Sequence, residues 1–209
     1  MKYEKKYFTK TTTKSKNNYK FYLKLLESEG IILNNLQVLD IGCATGNFLE
    51  NIYKNNICFG LDISKYAIYE SQNKFPDFKD NFKICDLNIQ EFETQGKFDL
   101  ITIFDVIEHI DNYSNLKKII CNNLNKGGKI LITTPNANSI LRFISTTNFT
   151  GEIDPTHVNL FTPYTLDFFL RKIGLKKIKL ITPFSFYFNN NILTSKILLG
   201  GQIVALYEK

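Results

Sequence analysis

Short apolar runs recur through the first two-thirds of the chain, separated by longer stretches that suit helices, and no other feature limits the fold so narrowly. The runs are Gln37 to Ile41, Cys58 to Asp62, Phe82 to Asp86, Phe98 to Phe104 and Lys129 to Thr133. Each has the length of a buried strand, and each gap leaves room for a crossover helix. That rhythm predicts a doubly wound parallel α/β sheet with helices on both faces. Leu175 to Ile181 and Gln202 to Tyr207 are two further strands that would close the sheet as a pair. Helical spacing predicts a helix over Tyr19 to Glu29, stopped by Gly30. Thr162-Pro163 reads as an N-cap followed by proline at the first helical position, opening a helix over Tyr164 to Ile173 that Gly174 ends.

At 209 residues and 44% hydrophobic, the chain fills one α/β core, so residues 1–209 are expected to form a single domain. Residues 1–30 are expected to form an N-terminal lid and helix, and two segments fit no core element, the insertions 136–156 and 183–199. Irregular segments above strand ends are where specificity usually sits. No apolar run reaches the roughly 18 residues that span a bilayer, and MKYEKKYFTK has no signal-like apolar stretch. A cytoplasmic protein is the expectation. Cys43, Cys58, Cys85 and Cys121 stand singly, without a C-x-x-C pair, and read as small buried hydrophobes. The formal charge of +6, densest over Lys10 to Lys20 and Arg171 to Lys179, is read mainly as lysine on solvated helix faces, with nucleic acid as the competing partner. Nothing in the sequence specifies an oligomeric state.

The residues most suggestive of chemistry begin at Val38-Leu39-Asp40-Ile41-Gly42-Cys43-Ala44-Thr45-Gly46, a buried strand turning through two glycines toward a helix near Asn47. Glycine is wanted where a ligand approaches backbone closely, and the acid can hold an ammonium or hydroxyl. Ala44 occupies the middle position of the usual G-x-G-x-G. The second strand ends in Gly60-Leu61-Asp62, placing a carboxylate at ribose-binding distance, and the third ends in Cys85-Asp86-Leu87, where an acid can accept from an adenine amino group.

With Phe98-Asp99-Leu100-Ile101-Thr102-Ile103-Phe104-Asp105-Val106-Ile107-Glu108-His109-Ile110 and Leu124 to Ile132 added in the same order and spacing, the chain resembles class I methyltransferases dependent on S-adenosylmethionine (SAM). The resemblance implies a Rossmann-like seven-stranded sheet, six strands parallel and the last antiparallel, with SAM across its carboxyl edge. It places Asp40, Gly42 and Gly46 at the methionine portion, Asp62 on the ribose hydroxyls, Asp86 with Leu87 at the adenine, and Phe104 in the cofactor pocket wall. The N-terminal helix and 136–156 would form a lid, and the aromatics of 183–199 would shape the acceptor pocket. Thr134 to Ser139 followed by Asp154 to Pro163 resembles methyltransferases of bacterial sugar and polysaccharide biosynthesis, which act on hydroxyls.

His109 and His157 are the chain's two histidines, and the resemblance brings both to the carboxyl edge. Either can take a proton from an acceptor hydroxyl, with His157 the expected base because its loop can approach the acceptor opposite the sulfonium. Asp105, Glu108 and His109, at i, i+3 and i+4, would point the same way on one helical turn. With His157 they resemble the E-x-x-E-H metal motif of ubiquinone-biosynthesis O-methyltransferases and small-RNA 2′-O-methyltransferases, with Asp105 in place of Glu. Such a set would hold Mg²⁺, Mn²⁺ or Zn²⁺. No N-P-P-Y or D-P-P-Y motif follows the fourth strand and no cysteine nucleophile stands there, so base N-methylation and cytosine C5 chemistry are disfavoured. The expected activity is methyl transfer to a hydroxyl of a sugar, polysaccharide precursor or other small metabolite. RNA 2′-O-methylation with a divalent metal is the competing reaction. A catalytically silent SAM-binding partner subunit is a third reading, disfavoured by the presence of both histidines.

Overall fold

In the computed structural model, residues 18–90, 92, 96–140, 156–183 and 198–209 are described. Residues 1–17, most of 136–156 and most of 183–199 lie outside them. Seven strands form one sheet in the order β3-β2-β1-β4-β5-β7-β6. They are β1 Gln37–Ile41, β2 Ile57–Asp62, β3 Phe82–Ile84, β4 Phe98–Phe104, β5 Leu124–Pro135, β6 Lys176–Ile181 and β7 Gln202–Glu208. The first five pair in parallel, and β7 runs antiparallel to both β5 and β6. This is the expected fold of six parallel strands and an antiparallel last one. Among the described residues the helices are α1 over residues 18–28, α2 Lys65–Lys74, α3 Ser114–Asn123 and α4 Pro163–Lys172.

Both faces of the sheet are covered, so the strands read as nearly continuous apolar runs. Period-two alternation still divides them. Leu39, Ile101, Ile103, Ile130 and Ile132 pack with Leu116 and Ile120 of α3 and Leu166 and Leu170 of α4. Val38, Leu100, Leu131 and Leu206 pack on the other face with Tyr22, Leu25 and Leu26 of α1 and Ile68 of α2. The cap of α4 forms as read: Thr162 accepts from the Thr165 amide at 3.1 Å, and Thr165 answers through its own hydroxyl.

One element departs from expectation. Two 3₁₀ turns, Leu49–Asn51 and Tyr53–Asn55, follow Gly46 in place of an α-helix. Asparagine side chains compete with backbone N–H groups for helix carbonyls, and here they take several. Asn51 donates to the carbonyls of Asn47 and Phe48, and Asn56 to that of Ile52. The parallel strands end on one side of the sheet, and their C-terminal loops, closed over by α1, enclose a cleft.

Candidate active site

That cleft is a cavity of about 470 Å³, walled by the ends of β1 to β4 and by Asn18, Tyr19 and Tyr22 of α1. Asp40, Gly42, Asp62, Asp86, Leu87 and Phe104 all line it. The turn after β1 has three residues in the left-handed region: Gly42 at φ +73°, Ala44 at +48° and Gly46 at +72°. A Cβ on Gly42 would fall 2.1 Å from Val106 Cγ2, and one on Gly46 2.5 Å from the Phe75 ring. Both glycines thus serve backbone sign and internal packing, and Gly42 also lines the cavity. Ala44 has a Cβ in a conformation that disfavours one, and its backbone groups are held from both sides. Its N–H donates to Asp62 Oδ2 at 2.9 Å, and its carbonyl accepts from the Ser71 hydroxyl at 2.9 Å. Asp62 Oδ1 also accepts from the Ser64 amide at 2.8 Å, so one carboxylate ties the β1 turn to the start of α2. Burial raises the Asp62 carboxyl above its usual range, and the amide donors oppose that shift. Asp86 Oδ1 accepts from the Asn88 amide, closing the turn that presents Leu87.

Asp40 is 2% exposed and lies on the α1 and α2 face, where the Thr102 hydroxyl donates to it across the β1–β4 register at 2.7 Å. Burial pushes this carboxyl up to about 7, Thr102 acts against the rise, and nearby Asp62 adds to it. A folded-state value raised above the unfolded one means the native protein binds the extra proton, so this group's contribution falls as pH rises from about 4 to about 7. Comparing urea melts of the ligand-free protein and of Asp40→Asn between those limits should show wild type losing stability relative to the variant as pH rises. A pH-independent difference would remove Asp40 as the cause.

Phe104 is stacked on Tyr22, centroids 4.9 Å apart and planes 9° apart, with Phe48 edge-on at 4.8 Å. The packing fixes α1 over the cavity.

The second pole of the cleft gathers the two histidines. His109 lines the cavity, and its Nδ1 lies 3.0 Å from both the carbonyl and the hydroxyl of Thr156. His157 packs edge-on against it at 4.7 Å and is not among the described residues lining the cavity. Glu108, 1% exposed, accepts from the Thr134 hydroxyl at 2.9 Å, while its Oε1 lies 4.0 Å from His157 Nε2. One ligand-capable atom from each of Glu108, His109 and His157 lies within 4.8 Å of the others.

Asp105 stands outside that group. The expected helical turn is a 3₁₀ segment, Ile107–His109, and Asp105 precedes it at φ +53°. The i, i+3, i+4 face drawn from α-helical geometry therefore does not exist here. Asp105 also lines the cavity, but its Oδ1 accepts from Gln202 Nε2 at 2.6 Å and from the Thr133 hydroxyl at 3.0 Å. Sequence reading missed the supporting roles of Thr133, Thr134 and Gln202. The available signal was polar residues at the ends of otherwise apolar strands.

Comparison with known proteins agrees with this geometry. A family model described as a methyltransferase domain matches residues 12–180, more than half of the chain. A mitochondrial ubiquinone biosynthesis O-methyltransferase from Candida albicans is 29% identical over 156 residues, covering 69% of this chain and 46% of the relative. A ubiquinone biosynthesis O-methyltransferase from Coxiella burnetii is 30% identical over 119 residues, covering 56% and 50%. The chain thus spans about half the length of these curated relatives. A SAM-dependent methyltransferase from Clostridium acetobutylicum superposes with a TM-score of 0.67 at 18% identity, over 92% of this chain and 91% of that one. No helix among the described residues is long and apolar enough to cross a membrane. With a sheet of this order, a glycine turn braced by the acid of the next strand and a family match over most of its length, the chain belongs to the class I SAM-dependent methyltransferases.

Proposed function

We propose that the chain transfers a methyl group from SAM to a hydroxyl of a small molecule, with a sugar or polysaccharide precursor as the favoured acceptor. The observation that carries this reading is the Glu108, His109 and His157 cluster, which meets one pole of the cavity through His109, while the other pole suits the cofactor. A cationic ligand with ribose and adenine fits the Asp40, Asp62 and Asp86 carboxyls set beside the apolar Leu87 and Phe104. When bound, SAM supplies a methyl on a sulfonium, already a good leaving system. The chain's own residues then have three tasks: to align the acceptor oxygen, to keep water out, and to receive a proton. Tyr19, Tyr22 and Phe104 cover the cavity on the α1 side. Thr156 anchors His109 at Nδ1, and the ring faces the cavity. The names of the relatives quoted above, both O-methyltransferases, support oxygen as the target.

The same three residues suit a divalent ion, which would lower the pKa of an acceptor hydroxyl. Glu108, His109 and His157 would hold it. Transfer of labelled methyl from SAM to monosaccharides, phenols and bulk RNA, with and without exhaustive chelation, tests both statements. Label in a small hydroxyl compound, lost on chelation and regained with Mn²⁺ or Zn²⁺, is the expected result. Label confined to RNA would reassign the acceptor. Stoichiometric SAM binding with no transfer to any acceptor would favour a silent subunit, and full turnover after chelation would remove the ion.

A further inference from the structure

We infer that Gln202 sets the ion preference of this cluster by holding Asp105 out of it, leaving, among the described residues, one carboxylate and two imidazoles, a set suited to Mn²⁺ or Zn²⁺ over Mg²⁺. The inference rests on the ion-binding half of the reading above. Asp105 stands three residues before Glu108, and on composition alone it would add a second hard oxygen. In the structure it lies outside the cluster. Gln202 Nε2 and the Thr133 hydroxyl both donate to Oδ1, and the Asp105 amide donates to the Thr133 carbonyl at 3.1 Å. Gln202 is itself fixed from behind, because the Tyr22 hydroxyl donates to its Oε1 at 3.1 Å. That bond decides which end of the amide faces Asp105: the oxygen meets Tyr22, and the NH₂ meets the carboxylate. Tyr22 is 2% exposed and stacked on Phe104, so the brace has little room to swing. Residues from α1, β5 and β7 thus converge on one carboxylate and turn it from the ligand cluster.

Among the described residues, what is left to ligate is Glu108 Oε1 or Oε2 and one nitrogen from each histidine. Mg²⁺ demands oxygen and dehydrates reluctantly, whereas imidazole suits the first-row transition ions and Zn²⁺. Gln202 is therefore a positioning residue that acts on the ion through Asp105.

Titration of the S-adenosylhomocysteine-loaded protein with Mn²⁺, followed by electron paramagnetic resonance, with Mg²⁺ as competitor, tests the inference without any turnover. Wild type should bind Mn²⁺ at least about tenfold tighter than Mg²⁺. Asp105→Asn should leave Mn²⁺ affinity within about twofold, while His157→Ala should lower it by roughly 10–100-fold. Gln202→Leu, which frees the carboxylate, should narrow the preference by raising Mg²⁺ affinity. Should that variant fail to fold, Asp105→Asn decides alone. A tenfold loss of Mn²⁺ in Asp105→Asn, or Mg²⁺ bound as tightly as Mn²⁺ by wild type, would overturn it. Binding of neither ion by protein that still takes up S-adenosylhomocysteine overturns it as well, and leaves the methyl-transfer reading standing.

Discussion

Replacing His109 by alanine is expected to lower kcat by about 10²–10⁴-fold while leaving S-adenosylhomocysteine affinity within a few-fold of wild type. The expectation follows from where the ring sits. His109 is on the cavity wall, and Thr156 occupies its Nδ1, so removing the ring takes away the imidazole nearest an acceptor without touching Asp40, Asp62 or the glycine turn. Sequence alone favoured His157 for this part, on the ground that its loop can reach the acceptor from the side away from the sulfonium. We propose the reverse order, because His157 lies against Glu108 and behind the His109 ring. His157→Ala should still impair turnover, through the placement of Glu108 and His109. Partial rescue of His109→Ala by added imidazole, with little rescue of His157→Ala, would separate the imidazole that serves the acceptor, as proton acceptor without the ion or as its ligand when the ion is bound, from a support. A His109→Ala enzyme within a few-fold of wild type would dismiss it from the chemistry.

Periodicity and turn chemistry made the frame legible. β1 and β4 coincide with their expected ranges because a strand buried on both faces is a continuous apolar run with abrupt polar ends. β3 stops at Ile84, two residues early, since Cys85 makes one last bond to the Asp62 carbonyl before Asp86 turns the chain. β5 begins at Leu124, before the expected Lys129, with an irregularity that accommodates the Gly127-Gly128 pair. None of these differences moves the site. The less legible features depend on quantities that a one-dimensional pattern does not contain. Asp105 sits at φ +53° just before the 3₁₀ segment, and nothing in D-V-I-E-H announces it. Gln202 meets Asp105 across 97 positions of sequence, so the contact that redirects that carboxylate is visible only once β7 is seen inserted beside β5. Ala44 is the converse case. Sequence marked it as a blemish in a glycine motif, and folding shows the blemish carried by Asp62.

That double duty makes Asp62→Ala the variant expected to damage cofactor binding most. Its carboxylate accepts two amide hydrogen bonds, from Ala44 and Ser64, and we propose that it also takes the ribose hydroxyls. Hydrogen bonds to a charged group are each worth about 1.5–3 kcal/mol, and 1.4 kcal/mol is about tenfold in affinity. Losing the ribose contacts alone should weaken S-adenosylhomocysteine binding by roughly 10²-fold or more. Losing the clamp should also let Ala44 leave its left-handed conformation, a strain of order 1–3 kcal/mol that the carboxylate now holds in place. Losing the amide bonds from Ala44 and Ser64 should lower the thermal midpoint along with affinity, with release of that strain offsetting part of the fall. The two effects part when the ligand is changed. An S-adenosylhomocysteine analogue lacking both ribose hydroxyls should bind wild type weakly and lose little further affinity in Asp62→Ala, because the contacts at issue are already gone. If instead the variant weakens both ligands by the same factor, Asp62 acts only through the turn. Calorimetry that finds folded Asp62→Ala binding S-adenosylhomocysteine within a few-fold of wild type would remove Asp62 from the cofactor site altogether.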